Sequence, residues 1–188
     1  NITNRFQFDI HPMSNKLTFF GDKSFLMDGN IYVGNFAFSG KNIKFDYDNF
    51  TFSFGQKSIF SFFDNNGDKI SSSVIHFDDG RLFLDSMDNK SGLKKLNNFP
   101  KFKVTGDVFL TYLNNTVNFF IEPFEIEYLN DMSLANLSFK GNLYLDEICD
   151  ELDGVLYFDQ HSNLITSIVT DDFINLYKGE IGFNGVIE

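Results

Sequence analysis

Apolar and polar side chains alternate along most of this chain, and a period of two predicts β-strands rather than helices. The stretch KNIKFDYDNFTFSFG (41–55) shows the pattern and one break in it. Ile43, Phe45 and Tyr47 share one parity, whereas Phe50, Phe52 and Phe54 share the other. A slip of one residue turns every following side chain to the opposite face, so a β-bulge or a tight bend is predicted at Asp48-Asn49. Asp46 and Asp48 then form the polar counterface of the first strand.

Turn-forming residues recur at hairpin spacing. Asn66-Gly67 separates SIFSFFDN from DKISSSVIHF, Asp79-Gly80 precedes RLFLDSM, and Asn114-Asn115 divides DVFLTYL from TVNFFIE. Asn, Asp and Gly tolerate the positive φ of hairpin turns, so three hairpins are predicted. Pro12, Pro100 and Pro123 fall where an edge or a loop is compatible with them. Helical spacing is confined to YLDEICDELDG (144–154), which offers a turn or two or else an acidic loop, and to SGLKKLNNF (91–99). FSGKNIKF, FKGNLYL and YKGEIGF echo one another as aromatic, polar, Gly and alternating apolar positions, the form a stacked β-repeat would take. The expected fold is all-β, an antiparallel meander of about a dozen strands forming a sandwich or a curled, groove-like sheet. One domain over residues 1–188 is expected.

Composition says what fills that fold. Phe supplies 26 of the 188 residues and Trp none, so the core is expected to be built from phenyl rings. The net charge of −11 disfavours a phosphate-tracking nucleic-acid binder. Lys90, Lys94, Lys95, Lys101 and Lys103 read as a solvated basic loop. Cys149 is the sole cysteine, which excludes an intrachain disulfide and a thiolate metal cage. The surrounding acids Asp146, Glu147, Asp150, Glu151 and Asp153 should raise its pKa and blunt it as a nucleophile. No apolar run approaches the roughly 20 residues that cross a bilayer as a helix, so no transmembrane segment is expected in this stretch. Because the numbering starts at Asn1 without Met and GEIGFNGVIE reads as an interrupted strand, the chain is expected to be a mature form or a piece of a longer protein.

Motifs that carry chemistry are sparse. Asp64-Asn65-Asn66-Gly67-Asp68 opens like a calcium loop, but its Gly comes before the required sixth position and no Glu stands at the twelfth. Acids 146–153 have no ligand template and read as a solvated segment. His11, His76 and His161 are scattered; His76 follows Ser71-Ser72-Ser73, yet no G-x-S-x-G elbow is present. Phosphate-binding Gly loops are missing. No cofactor, metal or catalytic residue is therefore assigned, and N-x-S/T matches at Asn1, Asn49, Asn89, Asn114 and Asn136 are expected by chance in an Asn-rich chain. Rows of Phe prefer a protein interior or lipid to sugars and bases, so a core is the first reading of Phe50, Phe52 and Phe54 and a greasy groove the second.

Four segments carry a resemblance: FLMDGNIYVGNFAFSGKNIKFDYDNFTF, GRLFLDSMDNKSGLKKLNNFPKF, FIEPFEIEYLNDMSLANLSFKGNLYLDEI and LYKGEIGFNG. In this order they resemble very large β-rich envelope proteins of Bacteroidota. The strand pattern is also similar to the β-groove repeats of AsmA-type and TamB-type proteins, whose Phe-lined gutters are associated with lipid. The resemblance implies a periplasmic or outer-membrane-associated location and transfers no catalytic residue. The resulting expectation is a non-enzymatic scaffold or protein-interaction module, pairing with a protein partner or with neighbouring repeats of its own chain. A lipid-binding groove is the alternative, and a carbohydrate-binding or hydrolytic domain comes third.

Overall fold

A computed structural model describes residues 8–64, 66–94, 96, 98–112, 117–145, 148–169 and 173–187. The chain lays down β1 (Phe8–Pro12), β2 (Thr18–Phe19), β3 (Phe25–Val33), β4 (Phe36–Asp46), β5 (Thr51–Phe54), β6 (Ser58–Phe63), β7 (Lys69–Phe77), β8 (Gly80–Phe83) and β9 (Lys101–Val104). There follow β10 (Val108–Tyr112), β11 (Val117–Ile121), β12 (Glu125–Ile126), β13 (Ser138–Leu145), β14 (Cys149–Phe158), β15 (Leu164–Val169), β16 (Ile174–Leu176), β17 (Ile181–Phe183) and β18 (Val186–Ile187). The fold is all-β and antiparallel. Its strands outnumber the expected dozen because several are pieces of two or three residues.

A fork organises the sheet. Along one edge β4 pairs with β3; along the other, Phe36–Ser39 pair with β6 while Lys44–Asp46 pair with β5. One leaf continues as β5-β8-β9-β12 and the other as β6-β7-β10-β11-β13-β14-β15. The leaves curl until their apolar faces meet, without closing into a barrel. Phe102 of β9 lies 5.3 Å from Phe60 of β6 and 5.1 Å from Phe77 of β7, ring centre to ring centre, across that interface. Phe36, Phe38, Phe52, Phe60, Phe62, Phe77, Phe102 and Phe119 are fully buried. Burying each stabilises the fold by about 1.5–3 kcal/mol relative to exposure, and Leu, Ile and Val side chains such as Ile31, Ile75, Leu82 and Leu156 fill the space between the rings.

The break at Asp48-Asn49 is a bend. Asp46 pairs with Thr51 across a four-residue loop in which Phe50 has φ +52°. Asp46 keeps the outward, polar side of the strand and also closes the bend: its Oδ1 accepts the backbone N–H of Asp48 at 2.9 Å and of Asn49 at 3.1 Å, which stitches the loop shut. Asp48 lies in the loop, off the strand. The Asn66-Gly67 hairpin forms as expected between β6 and β7. β10 and β11 also pair, although Asn114-Asn115 lies outside the described residues. Asp79-Gly80 corrects the sequence reading, for β7 and β8 do not pair. The chain there crosses from one leaf to the other, with Asp79 at φ +53°. Residues 149–154 are strand rather than helix, because Leu152 and Leu156 enter the core while Glu151 and Asp153 face out. The described residues of 91–99 form turns held by Asn89. The three Gly echoes adopt different conformations: a bulged strand at Gly40, a regular strand at Gly141 and a 3-10 turn at Tyr177–Gly179.

Two loops share one chemistry. Asp64 accepts the N–H groups of Asn66 and Asp68, and Asp159 accepts those of His161 and Asn163, at 2.7–2.9 Å. The Asp68 N–H chiefly holds Asp64 below the usual carboxylate pKa, and the Asn163 side-chain amide does so for Asp159. A carboxylate that is more acidic when folded adds stability above its unfolded pKa and loses it as pH falls through the folded value. The melting temperature should therefore hold down to about pH 5 and fall below about pH 4. Asp64→Asn with Asp159→Asn should lower it at neutral pH and flatten the acid limb in a circular-dichroism melt series. An unchanged acid limb would rule these loops out as its source.

Candidate functional site

The three groove candidates do not line an open surface together. Phe52 and Phe54 are 1% and 3% exposed, packed on Phe25, Phe45, Phe38, Phe77 and Phe102, while Phe50 is half-buried in the bend against Phe45. A ligand could reach Phe52 or Phe54 only by parting the leaves. Their period-two spacing, read as a groove, is the spacing of a core face.

Aromatic surface lies instead on the solvent side of the larger leaf. One cross-strand line runs Ile59, His76, Phe109, Phe120, Asn142, Asp153 through β6, β7, β10, β11, β13 and β14. The His76 ring stacks on Phe109 at 5.2 Å with 17° between planes; Phe109 lies 6.4 Å from Phe120, and Phe120 meets Tyr144 edge-on at 5.2 Å. Four strands thus carry one contiguous band of rings. Phe120 is 46% exposed, while its chain neighbours Phe119 and Ile121 point into the core. Alternation explains the placement: VNFFI has two adjacent Phe residues, and a strand must put one of them in water.

Carboxylates border the band. Glu151 stands opposite Tyr144, and Asp153 accepts the Asn142 amide at 3.0 Å. Burial, and then a hydrogen bond to Glu151, push the Tyr144 phenol above its ordinary pKa. An open depression of about 680 Å³ adjoins this edge, lined by Glu122, Lys140, Asp153, Val155, Tyr157 and Ser167 among others.

The remaining candidates disperse. His76 is committed to the aromatic stack, and the side chains of Ser71, Ser72 and Ser73 lie outside the described residues. Cys149 is half-buried at the start of β14; Asp146 and Glu147 are outside the described residues. The calcium-like Asp64 loop is the hairpin stitched above. Among the described residues no three His, Cys, Asp or Glu side chains gather as a metal site. Asn89, one of the N-x-S/T matches, is 1% exposed with its amide bonded to Asp85 and Lys94, so it offers no acceptor nitrogen at the surface. Among the described residues no helix is long and apolar enough to cross a membrane.

These features define a class: a curled antiparallel β-sheet with a phenyl core and a ring-bearing outer face. Comparisons with protein-family models, with curated proteins and with solved structures found no match.

Proposed function

We propose that this chain is a non-enzymatic cell-envelope module whose outer sheet face docks another polypeptide. The His76-Phe109-Phe120-Tyr144 band carries the reading. A stable core leaves no need for these rings in water, and exposed aromatic surface on a sheet is a recurrent element of protein interfaces. Glu122, Glu151 and Asp153 beside it, on a chain of net charge −11, favour a partner presenting basic and apolar side chains. The envelope location rests on the resemblance of the four segments alone.

A photo-crosslinker placed at Phe109 or Phe120 in the intact protein, in its own cells, should capture one and the same polypeptide in the envelope fraction. The same group at Leu93, which is 83% exposed but off this band, should not. Equal capture from Leu93, no capture from the band, or recovery of the protein in the cytosol would overturn the reading. Phe120→Ser should abolish capture and leave the fold intact, shifting stability by about 1 kcal/mol or less.

A further inference from the structure

The smaller leaf presents its own outward face, and its chemistry differs from the rest of the molecule. Across β5, β8, β9 and β12 one register line reads Ser53, Arg81, Lys103, Glu125, and the next reads Thr51, Phe83, Lys101. Three cations therefore share a small area of a strongly acidic chain. Arg81 and Lys103 stand directly opposite each other on antiparallel strands, a like-charge arrangement that costs stability. Glu125 relieves only part of it: its carboxylate lies 3.0 Å from the Lys101 ammonium and 3.8 Å from that of Lys103. Among the described residues Arg81 has no ion-pair partner. A guanidinium left unpaired, beside two lysines sharing one carboxylate, presents a fork suited to an oxyanion.

Arg81 also lines a cleft of about 560 Å³, bounded on one side by Asp85, Ser86 and Met87 at the start of the loop that Asn89 secures. Phe83 and Phe99 contribute rings to it, each about 5.5 Å from the Lys101 ammonium. Short polar groups line the same cleft: Ser53, Asn49, the Asp46 carboxylate and Thr51, whose hydroxyl donates to the Asn49 carbonyl at 2.9 Å. A bare phosphate would meet Asp46 and Asp85 as repelling neighbours. The Asn49 amide donates to Asp46 Oδ2 at 2.6 Å, so a polyhydroxylated ring with one carboxylate would set its carboxylate on Arg81, its hydroxyls on Ser53 and on the remaining lone pairs of Asp46, and a C–H face on phenyl.

We infer that this cleft binds an acidic saccharide, a uronate-type sugar recognised through Arg81, and does so independently of the aromatic band on the opposite leaf. The test is isothermal titration of the intact protein with trigalacturonate and a hyaluronan tetrasaccharide, against neutral maltotriose and inorganic sulfate. At least one acidic saccharide should bind saturably, with maltotriose and sulfate at least about tenfold weaker. Arg81→Gln and Arg81→Lys should each weaken binding by about tenfold or more, since Lys keeps the charge but loses the fork; the melting temperature should be unchanged in Arg81→Lys and unchanged or raised in Arg81→Gln, which removes the like-charge pair. No saturation by either acidic saccharide up to about 10 mM, equal binding of sulfate or maltotriose, or undiminished binding by a folded Arg81→Gln protein would each overturn the inference. The comparison among ligands on the unmodified protein decides the matter even if a variant fails to fold.

Discussion

Replacing Phe102 by Ala should lower the unfolding free energy by about 3–5 kcal/mol, a large share of the roughly 5–15 kcal/mol a domain possesses. Phe102 is fully buried at the point where the leaves meet, with the rings of Phe38, Phe54, Phe60, Phe77 and Phe124 at 4.5–6.2 Å. Truncation leaves a cavity that rigid strands on both sides cannot collapse, so the cost includes lost ring contacts as well as lost burial. Urea denaturation gives the comparison directly. If Phe102→Ala costs no more than Phe120→Ala on the outer face, the two-leaved core is wrong.

Gly141→Ala should be nearly as harmful, by a different route. A Cβ at Gly141 would lie 2.0 Å from the Phe120 carbonyl oxygen and 2.8 Å from the Phe119 ring. The oxygen belongs to the neighbouring strand's backbone, so relief requires parting β11 from β13. Gly154, its cross-strand partner, borders the same Phe119 ring, and the pair of glycines makes the space in which that ring is buried. A loss of about 3 kcal/mol is expected, at the upper end of overpacking costs. Gly55→Ala meets nothing within 4 Å and should be neutral or stabilising by up to about 1 kcal/mol. Equal tolerance of the two substitutions in thermal melts would refute the close strand approach at Gly141.

The alternation of Phe and polar residues was enough to read the fold class, since period two has no helical solution, and the phase change at Asp48-Asn49 located a real bend. Connectivity was hidden. Asp79-Gly80 has the chemistry of a hairpin turn, and only the fork on β4 sends it across to the other leaf. Local sequence also cannot tell a core face from a groove face, so Phe52 and Phe54 kept a groove as their second reading until their burial assigned them to the core. Arg81 was concealed by distance along the chain: it reaches Lys101 and Lys103 only because β8 and β9 pair across seventeen intervening residues. Lys101 and Lys103, expected in a solvated loop with Lys90, Lys94 and Lys95, lie on β9. Of that group Lys94 does pair in the loop, with Asp88 at 3.1 Å, and Lys95 is outside the described residues. The DQHSN loop at Asp159–Asn163 was legible in principle, since it repeats the Asp-x-x-small-Asp/Asn pattern of residues 64–68.

The fork on β4 also governs the order in which the chain can become ordered. After β4 the polypeptide visits one leaf with β5, the other with β6 and β7, the first again with β8 and β9, the second with β10 and β11, and returns once more for β12. The smaller leaf is not contiguous in the chain and cannot form as a local unit, whereas the larger one holds the local hairpins β6-β7 and β10-β11 and the meander β13-β14-β15, so the smaller leaf must wait for long-range pairing. Closing such interleaved, long-range pairings places the molecule among slow β-folders, on a millisecond-to-second timescale. During that interval its phenylalanine-rich strands are open to one another and to other chains.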